Sequence, residues 1–244
     1  MKNDLNFYTA IAKVSGTQER TGIGTLCEKP LHRILKFYLE PNEEYHEVKL
    51  LGSVVDVYNG REVFEIQTGG FLPLVKKLKK LLPEYKVTVV HPIVAEKNLV
   101  WLDKETGELS EPKKSPKKGR YTDLLPELFH FCDVFPDENL TVKLLLISAD
   151  EYKYLDGYGE SKKKGATKVA RLPKKLLGEI DVRSSEDVLS LLPVLPHPFR
   201  AKEFSRALVL RGRRSYSALT CLCKLGIAER VGKEKNAFLY EIRQ

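Results

Sequence analysis

Cysteine is scarce. Cys27, Cys132, Cys221 and Cys223 are too few and too scattered among 244 residues for a disulfide scaffold or a four-cysteine zinc site. Cys221 and Cys223 stand two apart in a predicted helix, point to different faces and read as packing residues. The five histidines form no metal-ligand spacing; His91 and His197 each precede a proline and are expected at a strand end or in a linker. No run of 18 apolar residues occurs, which argues against a membrane span. The opening Met1-Lys2-Asn3-Asp4-Leu5 has no apolar signal-peptide core. A cytoplasmic protein fits these absences. Asp156 to Gly165 is glycine-rich and basic but lacks the spacing of a nucleotide-binding P-loop.

What is present is a chain able to bury a core, 42% hydrophobic and 30% charged, long enough for one large domain or two smaller ones. Its net charge is +8, which favours a polyanionic partner weakly. The distribution is more telling: residues 197–244 hold 11 Lys and Arg against 4 Asp and Glu.

Two strands are predicted at Ser53–Tyr58 and Glu62–Thr68, joined through Asn59-Gly60. Asn-Gly between such runs signals a two-residue type I′ hairpin, because that turn needs positive φ at both central residues. Tyr58 would then face Arg61, and Asp56 and Glu65 would be diagonal neighbours on one face, with Gln67 beside them. Val55, Val57, Phe64 and Ile66 would be buried on the other. Two carboxylates and an amide oxygen suit a hard divalent cation such as Mg²⁺. Acids on the wet face of a hairpin are also commonly just solvated, and that reading stays open here.

The surroundings of this hairpin resemble the PD-(D/E)XK nuclease superfamily over roughly residues 20–95. A helix is predicted from Thr25 to Leu39 with Glu28 in its first turn, then the two strands, a helix over Phe71–Leu82 and a strand over Lys86–Ile93. The resemblance implies an α/β restriction-endonuclease-like core with elaborations, and phosphodiester hydrolysis assisted by Mg²⁺ or Mn²⁺. It implies that Asp56 and Glu65 hold the metal, that Glu28 holds or orients a second ion, and that Gln67 holds the attacking water. Gln67 stands where the family usually has lysine, so a positive charge is missing from the motif. The sequence is also similar to an uncharacterised bacterial family with the same Glu-Lys, Glu-Ile-Gln-Thr and Ser-Pro-Lys-Lys-Gly layout, a likeness that carries no activity.

The last fifth of the chain resembles a winged helix-turn-helix. Helices are predicted over Arg200–Leu208 and Ser215–Lys224, the second ending at Leu225-Gly226. Two strands follow, around Gly232–Asn236. A recognition helix reads duplex DNA mainly with its N-terminal residues, which places Arg213, Arg214, Ser215, Tyr216, Ser217 and Thr220 at the DNA, with Lys233 and Lys235 on the wing. The alternative is the same fold used for protein contacts.

Between these parts, Lys113–Arg120 carries five positive charges in eight residues, and Lys117 and Lys118 are candidates for the phosphate backbone. A hairpin is expected around Asp103–Gly107, a helix over Tyr121–Phe131, a strand over Thr141–Ser148 and a short helix over Ser184–Leu192. The expected division is a nuclease-like α/β domain over 1–192 and a DNA-binding domain over 193–244. The leading expectation is a DNA endonuclease; the alternative is a non-catalytic DNA-binding regulator on a nuclease scaffold. Cutting a palindrome would require a homodimer, for which the sequence carries no specific signal.

Overall fold

The computed structural model describes residues 2–18, 30–156 and 167–243. Its frame is mixed α/β: one large mixed sheet with helices on both faces. Helices α1 (Lys2–Gln18) and α2 (Pro30–Leu39) come first. Strands β1 (His46–Leu50), β2 (Ser53–Tyr58) and β3 (Glu62–Ile66) form an antiparallel meander. Helix α3 (Val75–Leu81) then crosses over to β4 (Lys86–Leu102), which runs parallel to β3. The short β5 (Lys113–Lys114) and helix α4 (Leu125–Leu128) precede two long strands, β6 (Leu140–Tyr154) and β7 (Lys168–Val182). The sheet order is β1-β2-β3-β4-β6-β7, with β5 beside β4.

Alternation along β4 separates two cores, because successive side chains leave a strand on opposite faces. Val87, Val89 and Ile93 face α3 and α4, against Leu74, Leu78, Leu81, Leu124 and Leu128. Val90 faces α1 and α2, against Phe7, Leu31 and Leu35. The first of these cores continues into the C-terminal elements, through Phe204, Leu219 and Leu222. Those elements are α5 (Ser185–Ser190), β8 (Phe199–Arg200), α6 (Ala201–Ala207), α7 (Arg213–Lys224), β9 (Ala228–Glu234) and β10 (Ala237–Ile242), the last two sheeted with β8 in the order β8-β10-β9.

The Asn59-Gly60 turn differs from the type I′ expectation. Tyr58 pairs with Val63, not Arg61, so four residues lie between this pair. Only Gly60 takes a positive φ, +82°. Asn59 makes the turn with its side chain: its Oδ1 accepts the amides of Arg61 and Glu62 at 3.1 and 3.0 Å. The register moves by two residues, which alone would preserve faces, but the expected common face is not kept: Val55 packs into the α3 core, whereas Phe64 and Ile66 pack toward α1 and α2, because the strands part beyond Val57–Phe64.

His91 is the second correction. It lies inside β4 and is buried, not at a strand end. Pro92 follows it in a central strand without breaking the β6 ladder, where it pairs with Leu145. The reason is that β3 has ended. Val90 carbonyl accepts the Gln67 amide at 2.9 Å on the β3 side; Pro92, two residues on, turns its nitrogen the same way, past the end of β3, where no ladder acceptor waits. Two residues further, the Val94 carbonyl accepts the Gly119 amide at 3.0 Å. The sheet is therefore open on one side of β4 at His91–Ile93, between β3 and the loop that contains Gly119.

Among the described residues, no helix is long and apolar enough to cross a membrane.

Candidate active site at the end of β2 and β3

The ladder between β2 and β3 ends at Val57–Phe64, and Asp56 and Glu65 are the next residue on each strand beyond it. Here the strands part, and the Asp56 carboxylate fills the opening: its Oδ2 accepts the Ile66 backbone amide at 2.7 Å. His32 on α2 stands 3.3 Å from the same oxygen. Lys77 on α3 forms an ion pair with Oε1 of Glu65, though without the angles of a hydrogen bond. Helices from opposite faces of the sheet thus reach the acid pair from two sides.

The solvated reading fails for Glu65, which is 5% exposed. Burial and the neighbouring negative charge of Asp56 push its carboxyl up to about 7, against the pull of Lys77. Asp56 moves the other way. Burial would raise it, but the contacts from His32 and the Ile66 amide, with the charge of Lys77, outweigh burial and hold it below the ordinary carboxylate range. Two acids whose environments drive them apart in this way make one firm anion and one carboxyl able to gain or lose a proton near neutrality.

Gln67 does not join them. Its backbone amide continues the ladder to Val90, and its side-chain Nε2 donates to the Gly70 carbonyl at 2.6 Å. Glu28 lies outside the described residues, as does the basic stretch 157–165. Among the described residues, no three His, Cys, Asp or Glu side chains form a metal-holding group. The donor set, two oxygen-donor carboxylates, is nonetheless chemically apt for Mg²⁺ or Mn²⁺.

Lys77 and His32 were not legible as site residues. The only signal for Lys77 is its place on the border of the apolar stripe Leu74, Leu78 and Leu81, which leaves it half-buried while Lys76, Lys79 and Lys80 are exposed.

The C-terminal candidates divide. Along α7, Arg213 and Tyr216 are exposed, and Ser217 and Thr220 are half-buried on the same side. Ser215 is buried against the body and cannot meet DNA, which corrects its assignment: it falls on the stripe with Ala218, Leu219 and Leu222. Arg214 is exposed and pairs with Asp123 at 3.0 Å. Lys233 lies within β9, not in a loop, and its ammonium stands over the Phe238 ring. Lys235 takes a positive φ in the two-residue turn to β10. Lys117 and Lys118 are exposed. Cys221 is buried and Cys223 half-buried, and the Cys132 thiol donates to Cys221 Sγ at 3.7 Å, linking the α4 region to α7.

Residues 29–183 match the model of a family described as a domain of unknown function, DUF8091. The chain belongs to the DUF8091 family. The match spans the large sheet and ends at β7, so in this DUF8091 protein α5 to β10 lie beyond it. An uncharacterized protein of Treponema pallidum (strain Nichols) is similar, 36% identical over 166 residues, or 68% of this chain and 63% of that protein. The match thus spans less than two thirds of that relative's length. No solved structure matches the DUF8091 chain.

Proposed function

We propose that this chain is a metal-dependent DNA endonuclease, with a PD-(D/E)XK-like site built on β2 and β3 and a winged helix-turn-helix made by α6, α7 and the β8-β10-β9 sheet. The observation that carries the reading is the buried Glu65 within reach of the Asp56 charge, with Lys77 against it. Like charges brought together out of water favour a cation between them, and binding one would lower the Glu65 carboxyl from about 7. When bound at these carboxylates, Mg²⁺ or Mn²⁺ would polarise the scissile phosphate and acidify a bound water.

The chain's own groups have distinct tasks. The Ile66 amide and His32 fix Asp56 as an anion in one orientation. Glu65, titrating near neutrality, accepts a proton or holds the cation according to pH. Lys77 brings to the acid pair the positive charge that Gln67 cannot, and an ammonium there stabilises charge developing on the phosphoryl oxygens. Arg213 and Tyr216 on the open side of α7 meet the duplex.

A second reading, a DNA-binding regulator on a nuclease-like scaffold, is favoured by one observation: the Gln67 amide is spent on the Gly70 carbonyl. Plasmid cleavage with Mg²⁺ or Mn²⁺ separates the two. The enzyme reading requires cleavage by the wild type and its loss in Asp56→Ala and Glu65→Ala. Metal-independent nicking, or equal cleavage by the variants, would reject it.

A further inference from the structure

The opening in the sheet at His91–Ile93 is the floor of a cleft of about 870 Å³. Three walls, far apart in sequence, each bring cations to it. The sheet contributes Lys97 from β4 and Arg171 from β7. The loop before α4 contributes Lys117, Lys118 and Arg120, the turn between α6 and α7 contributes Arg211, and the first turn of α7 contributes Arg214. Among the described residues, only two carboxylates, Asp123 and Glu127, line the same space. Asp123 is already spent: it pairs with Arg214 and accepts the Arg120 amide at 2.9 Å.

The back wall is rigidly set. Glu151, buried behind it, holds Lys97 at 3.3 Å and Arg171 at 2.9 Å. Burial alone would raise this carboxyl, but the Arg171 hydrogen bond and the charges of Lys97 and Lys168 hold it at about 2. The buried Nε of Arg171 has no hydrogen-bond partner among the described residues. The loop wall is equally fixed, because Gly119 lies so close to β4 that a Cβ there would sit 2.6 Å from the Val94 carbonyl oxygen.

The cleft also adjoins the acid pair. Glu65 neighbours Val89 on β4, and His91, at the cleft, is two residues further along the same face, roughly 7 Å. His91 Nδ1 contacts the Gln67 carbonyl at 2.6 Å, and Thr68 lines the cleft. The other end of the cleft is the N-terminus of α7.

Resting on the reading of this chain as a DNA enzyme, we propose that this cleft holds the phosphodiester backbone of the nucleic-acid strand on its way from α7 to the Asp56–Glu65 pair. Cations spread over three walls suit a ligand with regularly repeated negative charges better than a compact anion that would need them to converge. A concave site of one charge sign also concentrates such a ligand.

The test is fluorescence anisotropy of labelled duplex and single-stranded oligonucleotides, titrated with full-length protein without metal at several salt concentrations. The triple variant Lys117→Ala, Lys118→Ala, Arg211→Ala changes exposed side chains only, and its melting curve checks that it folds. It is compared with wild type and with Arg213→Ala, Tyr216→Ala. The cleft reading predicts that the triple variant weakens binding at least about tenfold at 150 mM salt, whatever the sequence, and lowers the salt slope by about 2 to 3. Wild-type affinity and slope in the triple variant, with weakening in the α7 variant, would overturn the cleft and leave the proposed function standing. A protein that binds no nucleic acid at any salt concentration would overturn both.

Discussion

Asp56 Oδ2 accepts the Ile66 backbone amide at 2.7 Å, closing the gap where β2 and β3 part. The carboxylate at the centre of the candidate site is thus also a structural bridge. Hydrogen bonds to charged groups are worth about 1.5–3 kcal/mol, so Asp56→Ala should destabilise the fold by about that much as well as remove a metal ligand. Asp56→Asn keeps an acceptor for the amide and should recover most of the stability while remaining inactive. Urea denaturation of the two variants checks this; equal losses from both would show that the bridge contributes nothing.

Glu65 gives a pH signature with a definite sign. Its native carboxyl, at about 7, holds a proton more tightly than an unfolded glutamate. The native state is then favoured where both forms are protonated, and this contribution is lost as pH rises from about 4.3 to about 7. Asp56, lowered in the native state, acts in the opposite sense and loses its contribution only as pH falls below the ordinary aspartate value. Glu65→Gln should therefore gain stability relative to wild type between pH 5 and pH 8, by an amount on the order of 3 kcal/mol at most. Parallel stability curves for the two proteins would remove Glu65 from this role.

Lys77 is the counter-charge of a buried acid. In Lys77→Met the Glu65 carboxyl should rise further, and the stability loss should be larger at pH 8 than at pH 5, because only the ionised acid misses its partner. Metal-dependent cleavage should fall in the same variant. A loss independent of pH would mean that Lys77 serves packing alone.

Gly119 tests the loop that walls the basic cleft. A methyl group there meets the Val94 carbonyl oxygen at 2.6 Å and Ile93 Cγ2 at 2.7 Å. Gly119→Ala should cost about 1–3 kcal/mol through backbone displacement and weaken nucleic-acid binding by moving Lys117 and Lys118. Thermal denaturation and the anisotropy titration together check it; an unchanged melting temperature would contradict the close packing.

Ser215 and Tyr216 are neighbours with opposite fates. Ser215→Ala should leave duplex affinity unchanged, since the hydroxyl is buried, whereas Tyr216→Ala removes a side chain 72% exposed on α7 and should weaken binding by about 1–3 kcal/mol if a base stacks on it. Reversed effects would mean that α7 presents a different face.

The hairpin shows how far sequence reading reached. Period-2 patterning put Asp56 and Glu65 on one face, but regular pairing stops after Val57–Phe64, and the two acids take partners from opposite faces, His32 on α2 and Lys77 on α3. The turn itself was missed because Asn59 acts through its side chain. The strand from Lys86 was read as ending near Ile93, yet β4 continues to Leu102, since His91-Pro92 breaks strands only where a neighbour needs the proline nitrogen. Helix α1 went unread: the buried Phe7, Ala10 and Val14 are interleaved with the exposed apolar Leu5 and Tyr8, which blurs the helical stripe. Strand β7 went unread too, because bulges opposite Ile147, Ala149 and Lys153 interrupt its alternation. The cleft was read only in pieces: Lys117, Lys118 and Arg214 were candidates, but their meeting with Lys97, Arg171 and Arg211 depends on the fold.

The claim that the acid pair holds a divalent cation can be tested without knowing the substrate. Mn²⁺ titration followed by electron paramagnetic resonance at pH 7.5 should reveal a bound ion in the wild type that is lost in Asp56→Ala and in Glu65→Gln, and that weakens as pH falls below about 7 and Glu65 takes up its proton. Mn²⁺ binding that is absent from the wild type, or the same in all three proteins, would contradict it.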